Sequence, residues 1–162
     1  MKSRAAHLIK MLNLQPHPEG GYFREIFRSA QSVQPDDGRG GRSAVTTTYF
    51  LLDAGSVSRW HRVQSDEVWH YYEGDTLELF RIDEDMTEYH RRLLGPVDDN
   101  AEPVQIVPAG CWQAARSTGI YTLVGCTVGP GFDYADFVLI SDRPEEETAI
   151  RNRFSHLGTD FL

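Results

Sequence analysis

The sequence predicts an all-β protein, a barrel or sandwich of short strands with a short helix near each end. Short apolar segments alternate with polar turns along most of the 162 residues, which is typical of sandwiches and barrels. Two spaced motifs, at 55–74 and 108–117, fall on segments that resemble strand, turn and strand. Hydrophobic residues make up 40% of the chain and charged residues 25%, as in ordinary folded domains. We expect one domain over residues 1–162.

The individual elements follow from local patterns. Residues 4–12 repeat apolar side chains at helical spacing, which predicts a leading helix. Residues 144–155 open with proline and three glutamates, which suit the first turn of a terminal helix. Residues 17–21 and 34–42 are rich in turn formers and predict loops. Period-two patterns predict the strands, at 22–28, 44–52, 57–63, 67–73, 77–82, 88–94, 105–107, 121–128 and 137–140.

Composition excludes several classes of protein. Sixteen basic residues against twenty-four acidic ones give a net charge of −8, which argues against a nucleic-acid partner. No apolar run reaches about 20 residues, so we expect no membrane partner, and the first residues lack the features of a signal peptide. Cys111 and Cys126 lack metal-ligand spacing. They predict buried free thiols in a reducing compartment, and hence a cytoplasmic protein.

The segment 55–74 carries the strongest chemical signal. It predicts two strands joined by a polar turn, and alternate side chains of a strand share a face. Arg59, His61 and Val63 would then point the same way, and Glu67 on the next strand would face His61. An imidazole and a carboxylate that converge inside a barrel can bind a metal, move protons or simply hold two strands together.

The spacing of this segment resembles the first motif of the cupins, small β-barrel proteins. Gly55, His61, Glu67 and Gly74 are in register with that motif, but Val63 stands where the motif has a second histidine. In cupins this motif supplies three of the four protein ligands of a metal. The resemblance therefore implies the barrel, with one of the metal's ligands missing.

The segment 108–117 resembles the second cupin motif. Pro108 and Gly110 match, whereas Gln113 replaces the usual histidine and Ser117 the usual asparagine. An amide oxygen is a poor ligand for zinc or iron beside imidazole. We therefore expect no metal cofactor. The alternative is a divalent metal ion held by four side chains, His61, Glu67, His70 and Gln113.

More of the chain resembles one branch of the superfamily, the fifth cupin subfamily, a domain of unknown function related to dTDP-sugar epimerase-like cupins. The resemblance implies a jelly-roll β-barrel with its core at about 8–140, a sugar-like small-molecule ligand, and a homodimer paired through edge strands. Five segments carry it, at 17–25, 46–52, 65–74, 107–117 and 123–137.

Several other side chains are candidates for the ligand pocket. Arg59 on the face of His61, and Arg116 behind Gln113, predict an anionic ligand such as a phosphorylated sugar. Aromatic side chains of strands can stack on a sugar ring, and loop residues can close over a barrel mouth. The further candidates are Tyr49, Trp112, Glu19, Tyr22, His70 and Phe132.

Three classes of function remain open, because one fold hosts many chemistries. The first is a metal-independent enzyme of the epimerase or isomerase type, with His61 as base, Glu67 as its orienting partner and Tyr71 as acid. The second is a non-catalytic binding module that uses the same pocket. The third is the metal-dependent enzyme built on the four alternative ligands.

Overall fold

The computed structural model describes residues 3–157 and 160–162 of the chain. This part of the chain contains thirteen strands and two α-helices, α1 (Arg4–Met11) and α2 (Pro144–Arg153). The strands are β1 (Gln15–Pro16), β2 (Tyr22–Arg28), β3 (Ser32–Val33), β4 (Arg42–Ser43), β5 (Thr46–Asp53), β6 (Val57–Val63), β7 (Asp66–Gly74), β8 (Leu77–Ile82), β9 (Tyr89–Leu94), β10 (Val104–Val107), β11 (Trp112–Ser117), β12 (Tyr121–Gly129) and β13 (Phe137–Leu139).

The strands form two main antiparallel sheets that pack as a sandwich. One sheet has the order β1-β2-β5-β12-β7-β10, the other β13-β6-β11-β8-β9, and β3 and β4 form a separate short ribbon. The predicted all-β jelly-roll class is confirmed. The predicted long strands and both helices are present, and the sequence patterns missed the two-residue strands β1, β3 and β4, which are too short to show a period.

Three apolar clusters stabilise the sandwich. The first fills the space between the sheets and contains Phe50, Trp69 and Val124. The second covers the outer face of the five-stranded sheet with α2 and the C-terminal residues. The third lies between α1 and the outer face of the six-stranded sheet. The interior cluster does not extend to one end of the sandwich. Polar side chains lie at that end, and a cavity opens there.

A bulge in β6 overturns the simple alternation expected for this strand. The pairing of β6 with β11 changes register between Ser58 and His61, so Arg59 and Trp60 together lie opposite one residue of β11. Ser58 and His61 are consequently both buried, Arg59 is exposed, and Trp60 packs into the cluster beneath α2. The expectation that Arg59 shares the inward face of His61 is therefore wrong.

The outer face of the six-stranded sheet is only partly covered by α1. Beyond the helix, Tyr72 packs over Gly125 and edge-on against Tyr49. On the neighbouring edge strand β10, Val104 and Ile106 are exposed. None of the helices among the described residues is long and apolar enough to span a membrane.

Candidate functional site

A cavity of about 280 Å³ opens between the two sheets at one end of the sandwich. Its walls come from the loop at 17–21, from β2, β5, β6, β7 and β12, and from the segment 132–137. Polar groups gather at the inner end and aromatic rings line the sides. The principal lining residues are His17, Glu19, His61 and Glu67, with Phe23, Phe50, Phe132, Tyr134 and Phe137.

His61 is fixed in one orientation by the backbone of its own strand. The ring is buried, and its Nδ1 lies 2.7 Å from the carbonyl oxygen of Arg59. Because a carbonyl only accepts hydrogen bonds, Nδ1 carries the proton. In the neutral ring, Nε2 is then an acceptor, and it lies 3.1 Å from Oε2 of Glu19.

Glu19 is the direct partner of His61. Its carboxyl group is buried, and the hydroxyl of Ser58 donates to its Oε1 at 2.8 Å. Burial raises the pKa of Glu19 to about 8, and burial also lowers the pKa of His61 below its ordinary value. At neutral pH, Glu19 therefore holds a proton and lies 3.1 Å from Nε2 of His61, which has no proton of its own. The two groups form a neutral acid–base pair that faces the cavity.

The loop at 17–21 carries Glu19 to this position and is fastened to β6. The amide of Arg59 donates to the carbonyl of Glu19 at 2.8 Å, and the amide of Gly20 donates to the carbonyl of His17 at 3.0 Å. Gly20 has a φ of 113°, and a Cβ at this residue would lie 2.0 Å from the carbonyl oxygen of Val57. Only glycine permits both the conformation and the close approach.

Gly20→Ala is therefore expected to destabilise the fold by about 1–3 kcal/mol, the usual cost of local backbone strain, and to displace Glu19 from His61. Thermal or urea unfolding measures the loss. Gly38→Ala is the matched control, since Gly38 also has a positive φ of 84° but open space around its Cα. Equal losses in the two variants would contradict the role given to the contact with β6.

His17 is a second imidazole at the inner end of the cavity, and it is partly buried. The amide of Glu19 donates to its Nδ1 at 3.2 Å, so the ring proton is on Nε2. Burial lowers the pKa of His17 to about 3, which keeps it neutral. The ring packs edge-on against Phe23 at 4.5 Å. Sequence reasoning missed His17, although it lies in the segment 17–25 that carries part of the family resemblance.

Glu67 is held by a chain of hydrogen bonds from the opposite sheet. The indole of Trp69 donates to Oε1 of Gln113 at 3.1 Å, and Nε2 of Gln113 donates to Oε2 of Glu67 at 2.6 Å. The first bond fixes which way the amide of Gln113 points. Burial raises the pKa of Glu67, and the thiol of Cys126 also hydrogen-bonds to its carboxyl group. Both cysteines are free and buried, as predicted.

The four cupin ligand positions do not fit a metal ion. Nε2 of His61 faces Glu19 rather than open space. Val63 has no donor atom, and Gln113 turns its amide nitrogen, which cannot ligate, toward Glu67. His70 does not line the cavity. No step of the chemistry proposed below passes through a metal.

We expect purified protein to lack stoichiometric zinc, iron, nickel or manganese, because imidazoles and carboxyl groups that already contact protein partners make a weak site. Elemental analysis of wild type, His61→Ala and His90→Ala tests this. His90 belongs to an exterior group with Asp83 and Glu88 that can pick up adventitious metal. A full equivalent of metal lost only in His61→Ala would contradict the expectation.

Four of the residues proposed from the sequence line the cavity, namely Glu19, His61, Glu67 and Phe132. Gln113 lies directly behind Glu67. The structure places the two candidate arginines elsewhere. Arg59 is exposed because of the bulge, and its guanidinium donates to the carbonyl of Pro18. Arg116 pairs with Glu78 and lies over Phe80, in the cluster outside the five-stranded sheet.

The other aromatic candidates lie outside the cavity, as does His70. The hydroxyl of Tyr71 donates to the carbonyl of Gly74 at 2.6 Å, so Tyr71 is not placed to act as the acid. Trp112 is buried beneath α2 and donates to Glu146. Tyr22 and Tyr49 pack on the outer face near α1. His70 faces away from the cavity, because its inward-facing neighbours in β7 are Trp69 and Tyr71.

Further charged side chains lie at the mouth of the cavity. Arg28 donates to Glu25 at 2.8 Å and to the carbonyl of Phe132 at 2.9 Å. Asp133 accepts from the amide of Ala135 at 2.8 Å and begins a short 3-10 helix. The pairing of β2 with β5 shifts register between Glu25 and Phe27, and such a shift cannot be read from alternation.

An ion-pair cluster anchors the segment 132–137. The buried carboxylate of Asp136 accepts from Arg42 at 2.7 Å and from Arg39 at 3.0 Å. These arginines lie in and beside the predicted loop 34–42. They lower the pKa of Asp136, and the bonds hold the cavity's aromatic lip against the rest of the sandwich.

Two solved structures resemble this one over most of their length. A hypothetical protein from Leishmania major is 38% identical, with 93% of this chain and 98% of that chain covered and a TM-score of 0.79. A protein from Shewanella oneidensis is 34% identical, with 86% and 85% covered and a TM-score of 0.75. No curated protein matches the chain.

Oxalate decarboxylase from Bacillus subtilis shares the fold at 15% identity. The match covers 85% of this chain and 33% of that chain, with a TM-score of 0.60. Residues 6–140 match the family model described as "Cupin superfamily (DUF985)". This range includes both spaced motifs and the loop that carries Glu19. The chain belongs to this family of the cupin superfamily.

Proposed function

We propose that the protein is a metal-independent proton-transfer enzyme of the epimerase or isomerase type that acts on a small, polar, sugar-like molecule. The neutral Glu19–His61 pair in the cavity is the observation that carries the proposal. A buried acid with a raised pKa beside a base with a lowered pKa is the usual arrangement of catalytic proton donors and acceptors. His61 keeps the role of base predicted from the sequence, and Glu19 takes the role of acid from Tyr71.

The chemistry follows from the hydrogen bonds of the pair. Glu19 donates its proton to a carbonyl oxygen of the ligand, which frees Nε2 of His61. Nε2 then accepts a proton from the carbon next to that carbonyl, and the ligand becomes an enediol. The imidazolium so formed is stabilised through Nδ1 by the carbonyl of Arg59, and Glu67 favours its charge. His61 then returns its proton to a different face or to the neighbouring carbon, and a hydroxyl of the enediol returns a proton to Glu19, which completes the isomerisation.

The lining of the cavity is compatible with a sugar-like ligand. Aromatic walls with a few polar groups at one end are typical of small-molecule sites, and rings of this kind stack on the apolar faces of sugars. The network of Glu67, Gln113 and Trp69 would hold one wall rigid. A non-catalytic binding module would use the same contacts, so turnover is the property that separates the two functions. The buried free thiols support a reducing compartment such as the cytoplasm.

Deuterium exchange tests the proposal across a range of candidate sugars. A panel of aldoses and ketoses is incubated with the protein in heavy water, and proton NMR follows the hydrogens next to each carbonyl. We expect exchange for at least one sugar, and its loss in His61→Asn. If sugars that bind show no exchange with wild-type protein, the proposed enzyme is wrong and the binding module is the function.

We also propose that the protein is a homodimer, paired through the bare half of the six-stranded sheet. Tyr72, Val104 and Ile106 are exposed there, and a chain of net charge −8 can meet its copy only where carboxylates are few. We expect Ile106→Asp to convert dimers to monomers in sedimentation experiments at micromolar concentration. Ile120→Asp, at another exposed residue, is the control. A monomeric wild type would contradict the proposal.

A further inference from the structure

Carboxyl groups outnumber guanidinium groups around the cavity. Four carboxyl groups line it among the described residues, those of Glu19, Glu25, Glu67 and Asp133, and they are accompanied by a single guanidinium, that of Arg28. Glu25 binds this guanidinium through both of its oxygens, at 2.9 and 2.8 Å. Arg28 is therefore already neutralised by a neighbour before any ligand arrives.

Most hydrogen-bond donors of the walls are also engaged within the protein. Arg28 donates to the carbonyl of Phe132 as well as to Glu25. Nδ1 of His61 donates to a backbone carbonyl, and the hydroxyl of Thr48 donates to the carbonyl of Cys126. The carboxyl oxygens of Glu67 and Asp133 remain as acceptors toward the cavity. A ligand that brings donors and positive charge is matched to such a lining, whereas an anion meets acceptor oxygens and the carboxylate of Asp133.

The aromatic lip of the cavity, formed by Phe132, Tyr134 and Phe137, also favours a positively charged ligand. The rings of Phe132, Tyr134 and Phe137 have centroids 5.0–6.0 Å apart and meet at steep angles. Tyr134 is 54% exposed, and Asp133 precedes it in the chain. Ring faces carry partial negative charge, so several rings beside a carboxylate attract ammonium groups.

We propose that the natural ligand of this cavity carries a protonated or quaternary amine, held between the aromatic lip and Asp133. This inference rests on the proposed function only for the location of the site. It replaces the anionic ligand expected from the sequence, because that expectation depended on Arg59 and Arg116, which both lie outside the cavity. An amino sugar would combine this group with the sugar-like ligand proposed above.

Three compounds of nearly the same shape isolate the effect of charge: choline, 3,3-dimethylbutan-1-ol and 3,3-dimethylbutanoate. Titrations followed by heteronuclear NMR give the affinity and map the contacts. We expect choline to bind at least about fivefold more tightly than the alcohol, the equivalent of one cation–π contact, and the carboxylate to bind most weakly. A carboxylate that binds as tightly as choline, or choline that leaves the cavity resonances unchanged, overturns the inference.

Two further variants locate the effect. Asp133→Asn keeps an oxygen that can accept from Ala135 but removes the charge, and should weaken choline severalfold without changing the alcohol. Asp99→Asn, at an exposed residue away from the cavity, is the control. If Asp133→Asn leaves choline affinity unchanged, the site is wrong. The same titrations on His61→Asn separate the two proposals, since charge preference should persist there even if no deuterium exchange is ever observed.

Discussion

Replacing His61 with asparagine should lower the rate of carbon-bound proton exchange by at least about 100-fold, the lower end of what a positioned general base contributes. Asparagine is polar and of similar size but cannot take up the proton. His90→Asn is the matched control, because His90 lies on the exterior near Asp83 and should leave the rate unchanged. Equal rates in wild type and His61→Asn, measured by NMR on the same sugar, would contradict the role of His61 as base.

The pH dependence of this activity follows from the neutral pair. Burial raises the pKa of Glu19 to about 8, so activity should fall above that pH as the acid loses its proton. The pKa of His61 is lowered from its ordinary 6.5, so activity should persist well into mildly acidic solution. Glu19→Gln should remove most of the activity, and the activity that remains should no longer fall at high pH.

The same shift has a consequence for stability. The folded protein keeps the proton of Glu19 to a higher pH than the unfolded chain, whose glutamate has a pKa of 4.5. The free energy of unfolding should therefore decrease as pH rises from about 4.5 to about 8. The hydroxyl of Ser58, which donates to the carboxyl group, and the guanidinium of Arg59 both lower the pKa of Glu19 and oppose the trend.

The largest loss of stability among polar substitutions is expected for Gln113→Ala. It removes the partner of the Trp69 indole and of the Glu67 carboxyl group at once, and both remain buried. Two unsatisfied groups should cost about 2–4 kcal/mol. Urea unfolding measures the difference.

Gln105→Ala is the matched control for this prediction. Gln105 lies on the short edge strand β10 and bonds only to Glu102 at the surface, so its loss should cost less than about 0.5 kcal/mol. Similar losses in the two variants would show that the buried network does not act as described.

Motifs and local pattern predicted the fold and four residues that line the cavity, Glu19, His61, Glu67 and Phe132. Most strands show alternating apolar and polar residues, because one face of each strand is buried. His61 and Glu67 were predicted because both lie within one strand–turn–strand unit of fixed spacing. Arg59 was misplaced by a bulge of a single residue, which reverses the face of every side chain before it.

The remaining site residues depend on contacts that are distant in sequence. Glu19 meets His61 only because the loop at 17–21 hydrogen-bonds to β6, about 40 residues away. Tyr71 and Trp112 have the residue type of pocket walls, but their hydrogen bonds to Gly74 and Glu146 turn them elsewhere. Tertiary packing determines these hydrogen-bond partners, so the spacing of residues in the sequence does not reveal them.

The protonation state of His61 tests directly whether Glu19 and His61 form a neutral acid–base pair. Nitrogen-15 NMR of the histidine side chains distinguishes a neutral ring with its proton on Nδ1 from a doubly protonated ring. We expect the neutral ring at pH 7, with its proton on Nδ1 and with an Nε2 shift that responds when Glu19 is replaced by glutamine. An imidazolium at pH 7, insensitive to Glu19→Gln, would contradict the neutral acid–base pair.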